Sequence, residues 1–180
     1  MSQLLDDLPY MPLRPEETMV VVVDPLACFV SHLSEVDKKA LSHKMDVLYG
    51  VADKISIPVA VSVLGEGTDT LWPVNLSNSR KLDLYPRTVA NPWDDKGLRA
   101  AIDKHGPSYI LLADCCPDME KNSRSLDYMI RAGVAPVSWR QVIFEWARHQ
   151  PLILSETFLA DLTRNTALPE ELRTALCRAE

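Results

Sequence analysis

The run Met-Val-Val-Val-Val-Asp at residues 19–24 decides the fold of this chain. Four successive valines show no alternation of polar and apolar positions. Both faces of such a strand are covered, as in the middle of a parallel sheet with helices on either side. An acidic residue, Asp24, closes the run. Open α/β sheets bind ligands beyond the carboxyl ends of their strands, which makes Asp24 a candidate functional residue. The plainer alternative is that Asp24, followed by Pro25, only begins a turn.

The flanking stretches extend the pattern. Residues 35–55 carry Val36, Ala40, Leu41, Met45, Leu48, Val51, Ala52 and Ile55 at helical spacing, with Ser34 as cap and Asp37 three residues on. A strand over residues 57–63 completes a βαβ unit with a right-handed crossover. Residues 65–92, punctuated by Gly65, Gly67, Pro73, Pro86 and Pro92, read as a long irregular segment with a short strand near residues 84–88. Loops of this length in compact domains are commonly functional. Beyond it the pattern predicts helices over residues 94–105, 119–132 and 139–149, and strands over residues 109–113 and 134–138. In the last of these helices Val142, Ile143, Trp146 and Ala147 face inward. Two short helices are expected over residues 155–163 and 168–178.

Alternating strands and helices specify an α/β, three-layer Rossmann-like fold with a mostly parallel central sheet flanked by helices. The 180 residues suit a single domain, with residues 1–17 as an extended, proline-bearing arm and residues 152–180 as a helical tail. Both are expected to make subunit contacts, so a homo-oligomer is expected.

With 47% hydrophobic and 24% charged residues the composition is that of an ordinary globular protein. A net charge of −6 without a Lys/Arg run argues against nucleic acid or an anionic membrane as the main partner. Asp6 and Asp7 lie where a signal peptide needs base, and no run has membrane-spanning length, so the expected location is cytoplasmic. Cys28, Cys115, Cys116 and Cys177 have neither disulfide-scaffold nor CxxC spacing and are expected as free thiols. The four histidines lack metal spacing, and no glycine-rich nucleotide loop occurs, so no metal or cofactor is expected.

Candidate chemistry gathers where residues 109–113 run into Asp114-Cys115-Cys116-Pro117. If that strand lies beside the valine strand, a thiol and Asp24 meet at one sheet edge. The carboxylate can take the thiol proton, and the start of the next helix favours the thiolate. Otherwise both cysteines are small buried hydrophobes. Arg80, Lys81 and Arg87 supply charge that can hold an anion or form a solvated face. Asn91 lies close by, and Trp72 and Trp93 offer an aromatic wall for a small-molecule substrate, or ordinary packing.

Several short motifs resemble the isochorismatase-like cysteine hydrolase superfamily. They are the strand ending Asp24-Pro25-Leu26, the second strand Ile57-Pro58-Val59-Ala60-Val61-Ser62, and Arg87 ahead of Asn91-Pro92-Trp93. Asn122-Ser123-Arg124-Ser125-Leu126-Asp127-Tyr128-Met129, Ala132-Gly133 and Val137-Ser138-Trp139 match one hydrolase branch. The resemblance implies an Asp–Lys–Cys site in which Asp activates Cys for attack on an amide or related carbonyl. Asp24 takes the base position, and Arg87 stands where the family has lysine, keeping charge but unable to give up a proton.

Between Gly106 and Trp139 the chain is one strand–helix unit shorter than the family norm. Either that unit was lost with its cysteine, which the match over residues 122–139 favours, or Cys115 or Cys116 is the nucleophile of a shortened sheet. The first case leaves a catalytically inactive homologue that binds a small ligand or serves as an assembly partner. The second leaves a hydrolase of a small amide or related C–N bond.

Overall fold

The computed structural model describes residues 13–65, 71, 83–114 and 130–150. A single 3-10 turn, Pro15–Glu17, leads into β1, Thr18–Val23. The last part of the expected arm is therefore a turn with Pro15 buried, and residues 1–12 lie outside the described residues. Then follow α1 (Ala27–Val30), α2 (Glu35–Lys54), β2 (Val59–Leu64), β3 (Asp83–Arg87), α3 (Lys96–His105), β4 (Tyr109–Asp114) and α4 (Trp139–His149).

All four described strands are parallel, in the order β3-β2-β1-β4. The valine strand is interior, with Val20 opposite Val59 on one side and Leu111 on the other. Its residues alternate between two cores, as a strand with helices on both faces must. Val20 and Val22 pack with Val61 of β2, Val51 of α2, and Ile143 and Trp146 of α4, whereas Met19 and Val21 pack with Ala60 and Leu98 of α3. Three layers result, α2 and α4 on one face and α3 on the other. β3 is an edge strand of the described sheet, where Pro86 can sit without removing a ladder hydrogen bond that a central strand would need.

The helix termini follow local chemistry. Ser34 caps α2 by accepting the Asp37 N–H (3.1 Å), and Asp95 caps α3 by accepting the Leu98 N–H (2.7 Å). α3 stops at Gly106, whose φ of 57° is the left-handed conformation in which glycine costs least. Ser138 and Gln141 form a reciprocal capping box on α4.

The stretch between β1 and α2 holds the short helix α1. Two expectations are corrected. Residues 134–138 form no strand: Pro136 lacks the N–H a ladder requires, and Val134 and Val137 stay exposed. Val36 and Ala40, placed on the apolar face of α2 by spacing, are exposed, Val36 by 77%. The buried surface of α2 lies in its second half, from Met45 to Ala52. The helix expected over residues 119–132 is described only from Ile130, where the Gly133 N–H closes on the Ile130 carbonyl (3.0 Å). The expected helices at residues 155–163 and 168–178 lie outside the described residues.

Trp146 is fully buried in the α2–α4 face. Trp146→Ala is expected to lower stability by about 3–5 kcal/mol, whereas Val36→Ser should stay within about 0.5 kcal/mol. Urea unfolding midpoints of the two variants check both values.

Candidate active site

Asp24 is the first residue past β1 and has φ of 45°, uncommon for a residue with a side chain but tolerated by Asp and Asn. Its N–H donates to the Ser62 carbonyl (2.9 Å), and its own carbonyl accepts the Leu26 N–H (2.7 Å) in a tight turn centred on Pro25. The backbone is thus turned at the edge of the sheet, where the carboxylate meets the ends of the two neighbouring strands.

Oδ1 of Asp24 accepts the Leu64 N–H (2.7 Å) from β2 and a hydrogen bond from Nη1 of Arg87 (2.7 Å) at the end of β3. Oδ2 accepts from Nη2 of Arg87 (2.5 Å), which makes the ion pair bidentate. The Arg87 side chain is 2% exposed and that of Asp24 15%. Nη1 also lies 3.5 Å from Oγ of buried Ser62, and Nη2 donates to the Ala90 carbonyl (3.3 Å). Nε is buried without a hydrogen-bond partner.

This arrangement limits what each group can do. A carboxylate offers about four acceptor positions. Among the described residues, Leu64 and Arg87 fill three of them and none fills the fourth, on Oδ2, which can take a proton or a further donor. Arg87 holds the carboxylate in place but does not shuttle protons, because a guanidinium stays charged. Two residues before it on β3, burial pushes the Tyr85 phenol up, and the Asp83 carboxylate adds to the effect. Tyr85 is therefore a neutral phenol near neutral pH and not a base.

Of the residues singled out by sequence, Asp24 and Arg87 are brought together. Asn91 caps the turn Pro92–Asp94 by accepting the Trp93 N–H (3.2 Å), and Trp93 is 41% exposed. Cys115, Cys116, Trp72, Arg80 and Lys81 lie outside the described residues. β4 nevertheless pairs directly with β1, Val23 opposite Asp114, so the strand that precedes the two cysteines in the sequence lies beside the valine strand. Ser62 was missed by sequence reasoning. Its signal was available: it is the sole polar residue of β2 and it is fully buried. The Leu64 N–H and the Ala90 carbonyl, being backbone groups, had no signal in residue type. Among the described residues, no group of three or more His, Cys, Asp and Glu side chains is arranged to hold a metal ion, and no helix is long and apolar enough to cross a membrane.

A parallel sheet between helical layers carries an Asp at the end of an interior strand, locked to a basic residue two strands away. The structure is similar to the YcaC gene product of Escherichia coli, an octameric hydrolase of unknown specificity, with TM-score 0.70 and 18% identity over 96% of this chain and 98% of that one. It is equally similar to YcaC from Pseudomonas aeruginosa, solved with hexane-2,5-diol and covalent acrylamide, with TM-score 0.70 and 15% identity over the same shares. At these identities the likeness establishes the fold. No protein-family model matches the sequence, and no curated protein matches it either.

Removing one partner of a buried ion pair leaves an uncompensated charge in a poorly solvated place. Arg87→Met is expected to cost about 3–5 kcal/mol. Arg87→Lys should cost less, since an ammonium retains the charge but not the two-oxygen fork. Urea titration of the two variants gives the order.

Proposed function

We propose that the protein is a cysteine hydrolase acting on a C–N bond of a small amide or related carbonyl compound. Asp24 is the proton acceptor, Arg87 its fixed partner, and Cys115 or Cys116 the nucleophile. The observation that carries this reading is the bidentate Asp24–Arg87 pair at the carboxyl edge of β1, beside the strand that leads into the two cysteines. The sheet order adds support. From β1 the chain goes to β2 on one side, while β4 lies on the other, so β1 and β4 flank the point where strand order reverses. Crevices at such points are the usual ligand sites of open α/β sheets. β4 also neighbours β1 directly, which favours the cysteines after it as the nucleophile position over loss of that unit. YcaC from Pseudomonas aeruginosa, of like fold, carries covalent acrylamide, a reagent that alkylates thiolates.

In this mechanism the thiol proton passes to the open position on Oδ2 of Asp24, and the thiolate adds to the carbonyl carbon. The C–N bond breaks as the departing nitrogen takes the proton back from Asp24, leaving a thioester. Water then gives its proton to Asp24 and adds to the thioester. The thiolate leaves and recovers that proton, releasing the acid. Arg87 keeps Oδ2 oriented throughout.

One observation favours a second reading, a catalytically inactive homologue that binds a ligand or assembles with other subunits. Both ends of the guanidinium are spent on Asp24, as a purely structural pair would be. Cysteine reactivity separates the two. With acrylamide at pH 7, Cys115 or Cys116 should be modified at least about tenfold faster than in the denatured chain, and Asp24→Asn should remove most of that gain. Exposed Cys28 serves as the reference thiol within the same molecule. Equal rates in native and denatured protein favour the inactive homologue.

The subunits are proposed to form a homo-oligomer, as the Escherichia coli relative in fold does. Ile110 and Leu112 of β4, 39% and 45% exposed, are apolar surface that assembly can cover. Light scattering should give a mass above the 20.2 kDa of one chain, and a clean monomer at micromolar concentration would refute the assembly.

A further inference from the structure

A buried arginine at the edge of an α/β sheet ordinarily suggests an anionic ligand, but the donors of Arg87 have no capacity for one. Both Nη atoms are directed at the two oxygens of Asp24, and their further neighbours are Oγ of Ser62 and the carbonyl of Ala90. The remaining N–H, on Nε, is buried and has no partner. A guanidinium has five N–H groups in a fixed fork. None of those on Arg87 is presented for a ligand, and its charge is cancelled at contact distance by Asp24.

The pair is also oriented. The positive end is 2% exposed and the negative end 15%, so whatever approaches the site meets the carboxylate first. Among the described residues the one unfilled acceptor position of the pair is on Oδ2, a negatively charged oxygen that repels a second carboxylate. From this geometry, and resting on the hydrolase reading above, we infer that the site selects an uncharged substrate and discriminates against carboxylate-bearing ones. A neutral carboxamide has the right chemistry: its carbonyl carbon is the target of the thiolate, its nitrogen takes the proton back from Oδ2 as it departs, and it brings no charge to repel the carboxylate.

Two alkylating reagents of nearly the same shape test the charge preference, iodoacetamide being neutral and iodoacetate anionic. Each is reacted separately with the native protein at pH 7. Modification of Cys115 and Cys116 is followed by mass spectrometry, and each rate is divided by that of the same reagent with the denatured chain. At low ionic strength the normalised rate for iodoacetamide should exceed that for iodoacetate by roughly fivefold, and added salt should narrow the gap. Asp24→Asn uncovers the guanidinium charge and should shrink or reverse the preference. If that variant does not fold, the two rates of the native protein decide alone. Iodoacetate reacting as fast as iodoacetamide, or faster, on this normalised scale overturns the neutral-substrate inference and leaves the cysteine hydrolase standing. Slow normalised labelling by both reagents overturns the hydrolase and, with it, the inference.

Discussion

Burying a guanidinium is costly unless a carboxylate meets it with good geometry, and Asp24 meets Arg87 with both oxygens. The ends of three strands depend on that contact. β1 supplies Asp24, β2 supplies the Ser62 carbonyl and the Leu64 N–H that hold Asp24 from behind, and β3 supplies Arg87. Gly65 continues the linkage by donating its N–H to the Arg87 carbonyl (2.9 Å). Parallel pairing aligns the carboxyl ends of the strands along one edge, and the ion pair then fixes the side chains there. A carboxylate held by a rigid scaffold is preorganised for proton transfer and does not have to be ordered at each turnover.

The central strand was legible because its signal is local and strong. Four adjacent valines require apolar partners on both faces, and the partners are Val51, Ile143 and Trp146 on one and Leu98 on the other. The caps at Ser34 and the stop at Gly106 were legible for the same reason, since a cap depends on residues within one turn. Val36 was misjudged because helical spacing identifies an apolar stripe but not how far along the helix the sheet extends beneath it. Residues 134–138 were misjudged because a strand needs a partner, and strand-like composition around Pro136 does not supply one.

The site was legible by residue and not by relationship. Asp24 at a strand end and Arg87 near a later strand could each be singled out, yet they are 63 positions apart, and their meeting depends on β3 pairing with β2 and β2 with β1. That long-range register also decides what Arg87 does. Alone in the sequence it is a cation available to an anion. Bound at both ends to Asp24 it is a brace, rigid and unable to carry a proton. Proton movement in the proposed reaction therefore runs through Asp24 alone.

The backbone at Asp24 adds a requirement separate from its charge. A φ of 45° excludes β-branched and bulky side chains and leaves Gly, Asn and Asp as the residues that sit there with least strain. Glu would keep the negative charge and strain the turn; Asn or Gly would keep the turn and strand the arginine. Position 24 is thus selected by two independent filters, and Asp passes both. Drift at this site is correspondingly narrow, since no single substitution preserves both turn and charge.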